Sequence, residues 1–129
     1  DLAAKLVPGT HASTFGGNSL ACAAGIAVIE AIEEDNLLQN AVEVGEYAQG
    51  KLSELGEKHS IIDHVRGVGL MIGIELTSPG SEIVSKCLNR GLRINCTHDT
   101  VLRFIPAMIT SKEQIDRGIE ILDSVLQEN

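Results

Sequence analysis

The hydrophobic period of this chain changes from three-to-four residues to two at about Val65, and that change restricts the fold more than any other feature. Before it, Leu38, Val42, Gly45, Ala48, Leu52 and Leu55 recur at helical steps to about Glu57. Glu43, Glu46 and Glu54 lie on the opposite face, so the stretch reads as an amphipathic surface helix. After it, Leu70, Ile72, Ile74 and Leu76 alternate with Gly69, Met71, Gly73 and Glu75, which predicts a strand with an apolar face and a glycine-bearing face open to close approach. Arg66-Gly67 is expected as a turn leading into it. Pro79-Gly80 opens a short helix with Ile83, Val84, Cys87 and Leu88 inward, and Gly91 stops it. Strands at 92–96 and 101–105, joined by Thr97-His98-Asp99-Thr100, suit a hairpin. Thr110-x-x-Glu113 is a capping box for a last helix whose stripe is Ile115, Ile119, Leu122 and Leu126. A helical start, grouped strands and a packed terminal helix predict an α+β domain on a small, mostly antiparallel sheet.

Upstream, Leu20, Ala21, Ala24, Ala27, Val28, Ala31 and Ile32 form a helical stripe, but the positions between them are also small or apolar. That helix needs burial on most sides, and a chain of 129 residues is too short to supply the cover, so self-association is expected. Glu33-Glu34-Asp35-Asn36 interrupts it, with Asp35 or Asn36 expected to cap the next helix. A net charge of −8 leaves no basic stripe to displace counterions from phosphates, which argues against a nucleic-acid partner. The apolar run 20–32 is broken by Gly25 and Glu30 and is too short to span a bilayer, so no membrane is expected either. Cys22, Cys87 and Cys96 lack metal-ligand or C-x-x-C spacing and stand beside apolar residues, so they are expected as buried free thiols in a reducing cytosol. With Asp1 in place of an initiator Met, the natural chain is expected to continue upstream.

The segment Gly9-Thr10-His11-Ala12-Ser13-Thr14-Phe15-Gly16-Gly17-Asn18 sets two hydroxyls and a glycine pair before the apolar helix. Glycines let a backbone approach an anion, Ser13 and Thr14 offer hydroxyl donors, and the helix start near Asn18 adds unpaired N–H groups. The segment therefore suits a phosphate, although a tight loop capped by Asn18 needs the same residues. His11 has no second ligand at metal spacing, and His59, His64 and His98 are expected as isolated polar loop residues. Arg103 shares a strand face with Val101 and Ile105, so its guanidinium needs a carboxylate, either a neighbour such as Glu75 or a bound ligand.

The run from Thr10 to Gly25, THASTFGGNSLACAAG, is followed in order by Val65-Arg66-Gly67-Val68-Gly69-Leu70-Met71, Cys87-Leu88-Asn89-Arg90-Gly91-Leu92 and Leu102-Arg103-Phe104-Ile105-Pro106. Together these resemble the class III, fold type I aminotransferases that use pyridoxal phosphate (PLP), most of all their acetylornithine branch. Ser19 and Ala107 depart from that pattern, standing where prolines are usual. The resemblance implies that residues 36–129 are a carboxy-terminal small domain and residues 1–35 the edge of a large PLP-binding domain. It implies a homodimer in which the Thr14 hydroxyl reaches the PLP phosphate across the subunit interface, Ser13 stands at the substrate pocket, and Arg103 holds a substrate carboxylate through two parallel bonds. Arg66 is expected to be structural. Lys5, Lys51, Lys58, Lys86 and Lys112 occur in no context matching the family's Schiff-base lysine, which precedes the phosphate motif and so lies upstream of Asp1. No catalytic residue is therefore assigned here, and the chain alone is expected to be inactive. For the parent enzyme, the resemblance implies transfer of the terminal amino group of N-acetylornithine to PLP and then to 2-oxoglutarate, in cytoplasmic arginine biosynthesis. Ornithine, succinylornithine or 4-aminobutyrate as donor, and a standalone non-catalytic interaction domain, are the alternatives.

Overall fold

Asn18 opens the first long helix in the way its position predicts. In the computed structural model, which describes residues 3–5 and 7–128, the chain divides into two units, Asp1–Asn36 and Leu37–Asn129. The first holds a 3-10 turn at Ala3–Lys5 and helix α1 at Ser19–Glu34. The Asn18 side-chain oxygen accepts from the Ala21 N–H at 2.9 Å, satisfying one of the donors that a helix start leaves unpaired. No α1 residue is buried, and Leu20, Ile26, Val28 and Ile29 are all more than half exposed. Asp35 ends α1, followed by Asn36 in the left-handed region at φ 52°, so the pair terminates one helix where a side-chain cap for the next had been expected. Asn is among the few residues that adopt this conformation at low cost.

The second unit contains α2 (Leu37–Lys58), β1 (Ile62–Val68), β2 (Met71–Leu76), α3 (Ser81–Asn89), β3 (Asn95–Thr97), β4 (Val101–Phe104) and α4 (Lys112–Leu126). Its four strands form one antiparallel sheet in the order β1-β2-β4-β3, and the helices pack on one face, so the α+β class read from the sequence holds. Ile72, Ile74 and Leu76 of β2 and Leu102 and Phe104 of β4 meet Ala48, Leu52 and Leu55 of α2, Ile83 and Cys87 of α3, and Ile115, Leu122 and Val125 of α4. Full burial of each large apolar side chain contributes about 1.5–3 kcal/mol.

Several expectations shift by a residue or a turn. Arg66-Gly67 lies inside β1, and the turn falls instead at Gly69, with φ 52°. Only Ile62 of strand β1 is buried, which leaves no alternation to read there. Leu38, Val42 and Leu88, expected inward, are exposed; the α2 seam at that end runs through Ala41 and Val44. The capping box of α4 uses Ser111 and Gln114, because two overlapping Ser/Thr-x-x-Glu/Gln frames occur there and the helix starts on the second. Gly91 does end α3 in the left-handed region, at φ 87°.

Polar ties join α2 to α4 and the segment before it. Asn40 Nδ2 donates to the carbonyls of Met108 and Thr110 at 2.7 and 3.2 Å, and the Tyr47 hydroxyl donates to Asp116 at 2.6 Å. His59, expected as an isolated loop residue, pairs with Asp123 at 2.6 Å, and its side chain is only 13% exposed. That bond holds the Asp123 carboxyl below its ordinary value near 3.8. A lowered native pKa means that the ion's contribution is complete above the unfolded value and is lost as pH falls through the native one. Asp123→Asn is expected to cost about 1 kcal/mol at neutral pH and to flatten the acid limb of a Tm-against-pH profile. Identical limbs for the two proteins would remove Asp123 from that role.

Candidate functional site

In the first unit, the polar segment before α1 is folded by its own short-range bonds. Thr10 donates to the Val7 carbonyl through both Oγ1 (2.7 Å) and N–H (3.2 Å). Residues 15–18 turn tightly: the Asn18 N–H donates to Phe15 O at 3.3 Å, its side-chain amide donates to the same oxygen, and Gly17 sits at φ 75°. A Cβ on Gly16 would lie 2.9 Å from Ser13 Cβ, so Ser13 folds over a position that only glycine can fill. Ser13 and Thr14 are exposed, and among the described residues neither hydroxyl has a hydrogen-bond partner. Two unpartnered hydroxyls beside a bare glycine turn and a helix start form a donor set that fits a phosphate.

In the second unit, the sheet face turned away from the helices carries a different chemistry. The register places Arg66 (β1), Gly73 (β2), Arg103 (β4) and Asn95 (β3) side by side in one row across the sheet. An open depression of about 720 Å³ lies over this face, lined by Arg66, Val68, Met71, Gly73, Val101 and Arg103, with Thr97 and His98 also in its wall. Glu75 is engaged away from Arg103: it accepts from Thr100 Oγ1 at 2.9 Å and from Arg66 Nη2 at 3.2 Å. These bonds, the Thr100 hydroxyl first and Arg66 second, hold its carboxyl below the ordinary range. The Glu75–Arg103 pair offered as one alternative from the sequence is therefore replaced by Glu75–Arg66. Arg103 is half-buried, and among the described residues its guanidinium has no hydrogen bond or ion pair. A half-buried cation with no anion beside it, on an otherwise apolar surface, is arranged to take one from solution.

Other residues noted in the sequence fall elsewhere. Of the cysteines expected to be buried, only Cys87 is, and burial pushes its thiol pKa up; Cys22 is exposed and Cys96 partly so. His64 lies in β1 and pairs with Asp63 at 2.7 Å, and His98 stands in the hairpin turn at φ 49° with Nδ1 3.2 Å from Thr97 Oγ1. No helix among the described residues is long and apolar enough to cross a membrane. The part of the site that escaped the sequence is the Arg66–Glu75–Thr100 cluster, whose members come together only through strand register.

The family described as Aminotransferase class-III matches residues 1–126. An acetylornithine aminotransferase of Methanocaldococcus jannaschii is 50% identical over 128 residues, covering 99% of this chain and 32% of that protein. An ornithine aminotransferase of Halalkalibacterium halodurans is 43% identical over 98% of this chain and 31% of its own length. Among solved structures, an acetylornithine aminotransferase from Elizabethkingia anophelis superposes with a TM-score of 0.87 at 28% identity, over 98% of this chain and 33% of that one. The chain thus spans about a third of the length of the relatives it matches.

Proposed function

The chain belongs to the class-III aminotransferase family, and from that premise we propose that it is the carboxy-terminal third of a PLP-dependent enzyme that transfers the terminal amino group of N-acetylornithine to 2-oxoglutarate in arginine biosynthesis. The match along nearly the whole chain carries this reading. Residues 1–35 then form the edge of the large domain and residues 36–129 the small domain of a cytoplasmic homodimer. PLP, when bound, supplies an electron-withdrawing ring on which an amino group can be exchanged.

The work of this chain is binding and orientation. Thr14 donates its hydroxyl to the phosphate and Ser13 borders the substrate pocket, both offered to the partner subunit; their unpartnered hydroxyls and the bare Gly16-Gly17 turn support those roles. Arg103 holds the substrate carboxylate, a role supported by its guanidinium, which is unpaired among the described residues. The lysine that reacts with the cofactor belongs to the upstream chain. Thr14→Ala in the full-length enzyme is expected to raise the Kd for PLP about tenfold through loss of one charge-assisted hydrogen bond. Unchanged PLP retention in a cofactor-exchange measurement would remove Thr14 from the site.

The activity is tested by assaying the full-length protein with N-acetylornithine, N-succinylornithine, ornithine and 4-aminobutyrate against 2-oxoglutarate. The highest kcat/KM is expected with N-acetylornithine. Preference for ornithine, the second reading because an ornithine aminotransferase is also similar, would overturn the donor assignment and leave the reaction class intact.

A further inference from the structure

We propose that Gly73 is a specificity-determining position: its missing side chain keeps open the strip of sheet between Arg66 and Arg103 on which the carbon chain of a carboxylate ligand lies. The inference rests on the reading of Arg103 as a carboxylate-binding residue and adds the position that limits how bulky an attached chain is admitted.

Glycine within a strand weakens it, since it loses more freedom on folding and packs no side chain. Two other glycines of this unit are required by the fold. A Cβ on Gly45 would lie 2.3 Å from Gly69 O, and one on Gly67 would lie 2.5 Å from Met71 O, both backbone atoms that cannot yield. Gly73 differs. Its φ lies outside the left-handed region, and the atoms nearest a Cβ there are Val101 Cγ1 at 3.4 Å and the Cγ and carbonyl oxygen of Arg66 at 3.9 Å, all within ordinary contact distance. The fold would accept alanine at this place with slight adjustment, so what the glycine provides is the space above it.

That space is the floor of the depression. Gly73 pairs with Arg66 on one side and Arg103 on the other, and strands about 4.8 Å apart put the two arginine backbones roughly 9.6 Å from each other. Arg66 is occupied by Glu75, so this pair is close to neutral and Arg103 is left as the cation that attracts an anion. Val101, Met71 and Val68 make the rest of the strip apolar. The ligand that fits is a carboxylate whose first carbons are slender and uncharged, with its head on Arg103 and its chain over bare backbone at Gly73.

The experiment compares Gly73→Ala, Gly73→Val and Arg103→Lys in the full-length enzyme. KM for the best amino donor, Kd for glutarate as an unreactive carboxylate probe by calorimetry, and Tm are measured for each. For Gly73→Ala a rise of about tenfold in KM and Kd is expected, and for Gly73→Val about a hundredfold, the range over which a methyl group in a fitted pocket discriminates. PLP absorbance should be unchanged, kcat should stay within about threefold, and Tm should be level or slightly raised. If Gly73→Val does not fold, the alanine variant alone decides. Unchanged KM and Kd in the glycine variants, with Arg103→Lys still weakening both, would overturn the role of Gly73 and keep that of Arg103. Unchanged values in Arg103→Lys would overturn the carboxylate reading itself. Lower Tm with unchanged binding would make Gly73 structural and overturn the proposal as well.

Discussion

Arg103→Lys in the full-length enzyme is expected to lower kcat/KM for carboxylate substrates by roughly 30- to 1000-fold, the equivalent of about 2–4 kcal/mol of transition-state stabilisation, while leaving Tm near that of the parent. Lysine keeps the charge but replaces a planar pair of donors with a single ammonium, so both bonds to a carboxylate cannot be kept in place. The structure is what separates this outcome from a stability effect. Glu75, the structural partner that the sequence offers for Arg103, is bound by Arg66 and Thr100, and Arg103 has no ion pair within the described residues to lose. Kinetics and melting of the same variant decide the matter. A fall in Tm with near-normal kcat/KM for 2-oxoglutarate would show that Arg103 supports the fold and not the substrate.

Gly45→Ala is expected to be the most damaging small substitution in the chain. The added carbon would stand 2.3 Å from the Gly69 carbonyl oxygen, at a site where α2 and the β1–β2 turn are in backbone contact. Neither side can move freely: Val44, Ala48 and Leu52 hold the helix in the core, and Gly69 is fixed at φ 52° between two paired strands. Overpacking of this kind costs about 3 kcal/mol, which lowers Tm by roughly 15 °C in a domain of this size. Alanine is the better helix former, so propensity alone predicts a gain of about 1 kcal/mol, and the two readings differ in sign. A level or raised Tm would mean that helix and turn separate without loss.

Most of the fold was legible because its signals are local. Alternating Ile72, Ile74 and Leu76, the helical stripe through Ala48, Leu52 and Leu55, and the Gly91 stop each follow from a period or a single backbone preference, and each stands where expected. Strand β1 has no readable alternation because Val68 lies exposed on the outer face beside Met71 while, on the core side, Ile62 alone is buried and Val65 is only partly covered. The α4 cap was ambiguous because Thr110 and Ser111 both begin a valid frame. The candidate site divides in the same way. Ser13 and Thr14 belong to one continuous segment and could be singled out directly. The partners of Glu75 could not, since Arg66 reaches it only through the β1–β2 register and Thr100 from 25 residues away, beside β4. The accessible thiol of Cys22 follows from the same limit: apolar neighbours in sequence do not ensure burial when the helix that carries them has nothing buried.

That last feature bears on cooperativity. The buried cluster draws on residues from Val44 to Leu126, whereas α1 has no buried residue of its own. Most helical stability in proteins comes from burial of an apolar face, and α1 buries none of its residues. When the chain is heated alone, the sharp heat-absorption peak should belong to Leu37–Asn129, while ellipticity from α1 declines along a gradual slope beneath it. Amide protons in α1 should exchange within seconds and those of Ile74 and Leu102 should persist to the limit set by global unfolding. In the proposed full-length enzyme the same amides would acquire slow exchange, which makes the protection of α1 a direct measure of whether the rest of the molecule has assembled around it.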